Sequence, residues 1–327
     1  MGERITLSYG DGMRDTYNII RDVFLSSLSN PSLRELNDSA RIGEFVFSCD
    51  SFTVKPLFFP DSDIGKLSIY GTVNDICVSA AEPLYLSLAI IVEEGFVIKT
   101  LEKIVSSIKI AAKNSGIKVV TGDFKVVEKK KIDGIFISTA GIGKRLKGRS
   151  SSFRKIKVGD KVIITGGIAE HGITILLSRN KIFDFDIKSD CQCLNKVLIP
   201  LWKKFSSIRF MRDPTRGGLA SVLNEISLNT NLGIKIFENN IPLRKDVKAA
   251  SELLGVDPYY LASEGRAVIV ISKEKAKEAI KFLHNNGFRK ASIIGTITKQ
   301  SKVIIKTVSG GERILDFSYS LNLPRIC

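Results

Sequence analysis

The sequence predicts an α/β (α+β) protein of two domains followed by a flexible tail, and three observations carry that prediction. Strand-like and helical periods alternate through the first half of the chain. A stretch rich in Ser, Gly and Lys/Arg interrupts them at 143–157, reading as a linker or exposed crossover, and beyond Asp316 all periodicity stops. The division therefore reads as 1–145, 156–316 and a tail at 317–327, and 327 residues suffice for two domains of ordinary size.

Met13, Tyr17, Ile20, Val23, Phe24 and Leu28 recur at three- and four-residue spacing, which predicts a helix over 13–28 closed by Asn30-Pro31. Strands are expected at 45–49, 84–92, 117–121 and 134–140, with helices at 64–80 and 97–113 between them. The second block opens with a strand at 160–165 ending in Gly166-Gly167. It continues through helices near 169–179, 191–206, 216–229 and 273–286 to a strand pair near 291–306, with a turn at Gly310-Gly311. No repeat of about 20–50 residues is visible, which excludes a solenoid. The final run, FSYSLNLPRIC, can span on the order of 35 Å at about 3.3 Å per residue. Cys327 can therefore reach a site far from the tail's anchor.

Hydrophobic residues make up 44% and charged residues 25% of the chain, which are globular proportions. No apolar run approaches the roughly 20 residues of a membrane span, and the N-terminus lacks the pattern of a signal peptide, so a cytoplasmic protein without a membrane partner is expected. Cys49, Cys77, Cys191, Cys193 and Cys327 are odd in number and do not resemble a disulfide framework. The Cys191-Gln192-Cys193 pair lacks the second pair or nearby histidine of a metal site. The net charge of +15 comes from lysines scattered along the chain, a solvated surface rather than a nucleic-acid site.

Asp50, Asp75 and Asp123 stand where apolar runs end or glycines cluster. Carboxylates gathered together bind Mg²⁺, which neutralises the charge that moves in phosphoryl transfer. In Arg212-Asp213-Pro214-Thr215-Arg216-Gly217-Gly218, the glycines let backbone approach an anion at a helix N-terminus, and Arg216 can grip a phosphate with two prongs. Gly10-Asp11-Gly12 and Thr165-Gly166-Gly167 offer further phosphate loops, but no P-loop signature is present. His171, beside Glu170 at a helix start, reads as structural. Cys327 is a nucleophile on a mobile end, and Arg325 favours its thiolate while a terminal carboxylate opposes it.

Several motifs occur together in order: Asp50-Ser51 and Pro56-Leu57-Phe58-Phe59-Pro60, Ile64-Gly65-Lys66-Leu67, Gly71-Thr72-Val73-Asn74-Asp75, and Gly122-Asp123 with Lys125-Val126-Val127. They continue through Glu170-His171-Gly172, residues 213–218, Ser263-Glu264-Gly265 and the 323–327 tail. In these the chain resembles, almost end to end, the HypE family of NiFe-hydrogenase maturation proteins, within the superfamily of aminoimidazole ribonucleotide synthetase and selenophosphate synthetase. The resemblance implies a synthetase-like fold that dimerises through its N-terminal sheet and binds ATP with Mg²⁺ in an interdomain cleft.

It further implies carbamoylation of Cys327 by a HypF-like carbamoyltransferase, ATP-dependent dehydration to a thiocyanate, and delivery of cyanide to iron on a HypC–HypD complex. Asp50, Asp75 and Asp213 would hold Mg²⁺, with Asp123, Gly10, Gly12, Thr215, Arg216 and Gly217 at the nucleotide. Lys125 would contact phosphate or substrate, and Glu264 would act as base. Two departures from the family pattern stand out: Tyr9 to Met13 lacks the histidine and one glycine of the N-terminal loop, and Phe124 replaces a threonine. The alternatives are another ATP-dependent kinase or synthetase of the superfamily, such as a selenophosphate synthetase or thiamine-phosphate kinase, and a non-catalytic maturation scaffold.

Overall fold

The computed structural model of the chain describes residues 4–179, 185–317, 323 and 325–327. The expectation of an extended, flexible tail falls largely on 318–322 and 324, outside the described residues.

The helix expected over 13–28 forms as α1 (Arg14–Ile19) and α2 (Ser26–Leu28), joined by a wider π-helical turn at Ile20–Leu25. There follow β1 (Ala40–Ile42), β2 (Phe45–Phe52), the short β3 (Phe58–Phe59) and β4 (Ser62–Asp63), α3 (Ile64–Val78), β5 (Ala81–Glu93), α4 (Ile98–Ser115), β6 (Lys118–Val127) and β7 (Ile135–Arg145). Among the described residues the long strands make a five-stranded sheet in the order β1-β2-β7-β5-β6. Only β5 and β6 run parallel, as their connection through α4 requires.

The helix α3 is apolar nearly all round and buried along its length, the pattern of a core helix rather than a surface one. Its start is fixed by Asp63, whose carboxylate accepts from the N–H groups of Gly65 at 2.7 Å and Lys66 at 3.1 Å. Gly65 permits close approach to α4: a Cβ there would lie 2.6 Å from the Ile104 carbonyl oxygen.

The stretch 143–157 is not an exposed crossover. β7 runs into it, and Phe153 and Ile156 are apolar enough to be buried, Phe153 stacking on Phe210 with 4.4 Å between ring centroids. The second block comprises β8 (Lys161–Ile164), α5 (Glu170–Arg179), α6 (Asn195–Lys204), β9 (Ile208–Arg212), α7 (Gly218–Thr230), β10 (Gly233–Phe237), α8 (Lys245–Leu254), β11 (Val268–Ile271), α9 (Lys273–Asn285), β12 (Ser292–Thr298), β13 (Val303–Lys306) and β14 (Glu312–Ile314). Its described strands form a seven-stranded sheet in the order β14-β13-β10-β12-β8-β11-β9.

One apolar cluster runs without a break from α3 and α4 into α5, α6 and β11, so the halves share a core. Trp202 of α6 is buried there, and its indole N–H donates to the Cys77 carbonyl at 3.0 Å. Each large side chain in such a core contributes about 2 kcal/mol by leaving water. Asn74 adds direction: its amide donates to the carbonyls of Gln192 at 3.0 Å and Glu264 at 3.3 Å and accepts from Leu194 N–H at 2.8 Å. This fixes α3 against the second half of the chain. Among the described residues no helix is long and apolar enough to cross a membrane.

Candidate active site

The turn of α3 that follows Asn74 presents Asp75 to the loop leaving β9, which carries Asp213, and to the segment before β1, which carries Asp38. One carboxylate oxygen from each lies within 4.8 Å of the others. Burial, with Asp50, Asp213 and Asp38 around it, holds Asp75 well above the usual carboxylate range. Asp213 is raised likewise by burial and then by its acidic neighbours. Asp38 is raised by burial and partly relieved by Arg212, whose Nε lies 2.8 Å from its carboxylate.

Arg212 is itself buried, pairs with Glu225, donates to the Leu36 carbonyl at 2.8 Å and lies over the rings of Phe153 and Phe210. Three hard oxygen donors for which Arg212, on Asp38, is the compensating charge described fit a divalent cation. Asp50, expected in this group, stands on β2 beside it: it accepts from Thr72 at 2.6 Å and lines the same cavity. Asp38 takes its place in the group of three, and nothing in the loop sequence Asn37-Asp38-Ser39 signals that role.

The loop between β9 and α7 forms the opposite wall. Gly217 (φ +72) and Gly218 (φ +59) adopt left-handed backbone, and a Cβ on Gly218 would lie 2.5 Å from the Leu261 carbonyl oxygen. Gly12 (φ +80) presses on the same loop, where a Cβ would lie 2.7 Å from the Arg216 carbonyl oxygen. Two adjoining cavities result. One of about 410 Å³ is lined by Gly12, Asp50, Asp75, Asp213, Thr215 and Arg216. The other, of about 360 Å³, is lined by Gly10, Ser51, Arg216, Gly217 and Cys327. Backbone N–H groups at the start of α7 and the Arg216 guanidinium make this wall suited to phosphate.

Cys327 is seated in the second cavity. Its main-chain oxygen accepts from Thr53 N–H at 3.0 Å, and the Arg325 carbonyl accepts from Lys55 N–H at 3.1 Å, so the chain end lies alongside 53–55. Ile326 is buried and its carbonyl lies 2.8 Å from His171 Nε2. The Arg325 side chain ties down the rim, donating to the Asp133 carboxylate and the Thr53 carbonyl, both at 2.5 Å, with its guanidinium over Phe136.

Burial, then the charge of Glu264, pushes the Cys327 thiol up to about 12, against the pull of Arg216. Glu264 is pushed up to about 8, first by burial and then by Asp190. Its Oε1 has no hydrogen-bond partner among the described residues. A buried carboxyl with an unused oxygen, beside a thiol and an arginine, is suited to moving a proton.

Asp123 and Lys125 lie elsewhere in the single chain. Both are exposed on the edge strand β6, paired with each other at 2.8 Å. Through Ala89 and Ser138, Asp123 shares a row with Ser51 three strands away, a distance of roughly 14 Å at about 4.8 Å per strand.

Residues 37–144 match the AIR synthase related protein N-terminal domain, and 157–307 match the AIR synthase related protein C-terminal domain. The chain is 40% identical over 332 residues to carbamoyl dehydratase HypE of Azotobacter vinelandii, covering 99% of this chain and 97% of that protein. It is similar to the solved structure of HypE in complex with ATP, at 39% identity and a TM-score of 0.84 over 99% of this chain and 100% of the other. It also matches a chain of the HypE–HypF complex, at 43% identity and a TM-score of 0.88, covering 91% of this chain and 99% of that one.

Proposed function

This chain belongs to the HypE carbamoyl dehydratases, AIR synthase related enzymes of hydrogenase maturation that use ATP, and on that premise we propose that Cys327 carries the group they dehydrate. A HypF-like carbamoyltransferase loads the Cys327 sulfur while the tail is out of its seat. The loaded tail returns, and the amide oxygen attacks the terminal phosphorus of ATP, releasing ADP. The nitrogen gives up its protons as the C–O bond breaks, phosphate leaves, and a thiocyanate remains on sulfur. The net change is loss of one water from the S-carboxamide, coupled to hydrolysis of ATP to ADP and phosphate. The phosphate ester supplies the leaving group that an amide oxygen lacks.

Glu264 is the proposed base for the nitrogen protons, and Arg216, Thr215 and the Gly217 end of α7 the proposed phosphate grip, with Gly10 and Gly12 closing over it. Asp38, Asp75 and Asp213 would hold Mg²⁺ with Asp50 beside them, and the ion would supply charge neutralisation at the phosphates. The outer face of the N-terminal sheet, with Phe45, Phe47, Tyr85 and Ile142 exposed, is the proposed homodimer surface. The roles of Lys125 and Asp123 at substrate and nucleotide are proposed to require that second copy. A HypC–HypD complex is the proposed acceptor of the cyano group and the cytoplasm the proposed location. The working division of the chain is 1–145, 156–316 and 317–327.

The observation that carries this reading is the seat of Cys327, which brings the sulfur into a cavity shared with Arg216 and within electrostatic reach of Glu264. Intact-mass measurement after incubation with a HypF-type transferase, carbamoyl phosphate and ATP tests it. A carbamoyl adduct that loses one water only with Mg-ATP, and is absent in Cys327→Ala, is expected. An unmodified Cys327 in the presence of active transferase defeats the reading in favour of a kinase or scaffold.

A further inference from the structure

The seat reads the tail through its backbone. Carbonyls of Arg325, Ile326 and Cys327 all receive donors: the N–H groups of Lys55 and Thr53 serve the outer two, with the Arg179 guanidinium and the Thr53 hydroxyl beside them, and His171 of α5 serves the middle one. A carbonyl oxygen only accepts, so His171 Nε2 carries the proton. Nδ1 of the neutral ring is then an acceptor, and Ser189 Oγ, 2.8 Å away, donates to it. Ser189 Oγ in turn accepts from Cys191 N–H at 3.1 Å. The relay is thereby fixed in one direction, and Phe59 sets the ring plane by edge contact at 5.4 Å between centroids. Burial holds the ring neutral, lowering its pKa to about 4. A histidine needed only for the fold would direct both nitrogens into the body of the protein; this one spends its donor on the last peptide before Cys327.

We propose that His171 is a positioning residue for the dehydration: by holding the Ile326 carbonyl it fixes the group carried on Cys327 sulfur in the cavity lined by Arg216, within electrostatic reach of Glu264. The proposal rests on the dehydratase reading of that cavity. It separates the two half-reactions, because loading takes place outside the seat and dehydration within it. Weakening the clamp therefore spares the first and slows the second.

Two substitutions test it in the full-length chain. His171→Phe keeps an aromatic ring but has no donor. His171→Gln carries an amide nitrogen at nearly the same reach as Nε2. Without ATP or partner, alkylation of Cys327 by iodoacetamide, localised by peptide mapping, should quicken roughly tenfold in His171→Phe, the factor for losing one hydrogen bond of ordinary net strength. It should return towards the wild-type rate in His171→Gln.

In single-turnover mass measurements on carbamoylated protein, water loss should be slow in His171→Phe and recover in His171→Gln, with loading undiminished in both. Ser189→Ala, which removes the partner of Nδ1, should give an intermediate alkylation rate and decides the matter if His171→Phe does not fold. Wild-type protection of Cys327 in both His171→Phe and Ser189→Ala overturns the proposal, as does a folded His171→Gln that rescues nothing. If wild type never loses water, the dehydratase reading fails while the alkylation rates still decide whether His171 holds the tail.

Discussion

Glu264 keeps its proton up to a pH of about 8 because burial and the neighbouring Asp190 both oppose its charge. The folded value lies above the ordinary 4.5, so between the two the folded protein holds a proton that the unfolded chain has released. Stability is therefore lost as pH rises across that window. Glu264→Gln removes the loss, and melting curves should place the variant several degrees above wild type at pH 8, with the gap closing towards pH 5. Activity should move the other way. Water loss from carbamoylated protein should rise with pH along a limb centred near the Glu264 value and fall roughly a hundredfold or more in the variant, as for a removed general base. A variant that is stabilised and fully active would remove Glu264 from the chemistry.

At the scale of elements, α3 joins the two halves, and Asn74 is its polar fastening. Asn74→Ala would leave the Leu194 N–H and the Gln192 and Glu264 carbonyls without this partner. At about 1–3 kcal/mol for each unsatisfied buried group, denaturant unfolding should show a loss of roughly 3 kcal/mol or more. α3, α4, α9 and the long strands β5 and β7 are legible in the sequence because their periods run long enough to be told apart from chance. The strands β9 and β11 are not: they are only four or five residues long and almost wholly buried, so no alternation marks them. The connector before β8 misleads through its composition, since its polar and basic residues conceal the two apolar side chains that dock it.

At the scale of the molecule, the outer face of the N-terminal sheet exposes a row of apolar side chains. Phe47 and Ile142 are register partners exposed on adjacent strands, and charges placed side by side there would oppose burial against a second copy. Phe47→Glu with Ile142→Glu should halve the sedimentation mass of a dimer while leaving the melting curve of the monomer intact. The acidic half of the site was only partly legible. The family resemblance names Asp75 and Asp213 together, whereas Asp38 joins them only through a fold that brings a featureless loop to them. The seat was not legible at all: Thr53 and Cys327 are 274 positions apart, and no local pattern records a pairing over such a distance.

That pairing also makes the tail a tethered competitor. Joined covalently to the body, it faces its own cavity at an effective concentration on the order of millimolar, which dilution does not lower. A transferase that takes Cys327 outside the cavity binds only the fraction of chains whose tail is out, so its apparent dissociation constant exceeds the intrinsic one by the reciprocal of that fraction. If loading takes place outside the cavity, as proposed, the strength of the seat sets how much transferase is needed, and every contact that aligns the tail raises that requirement.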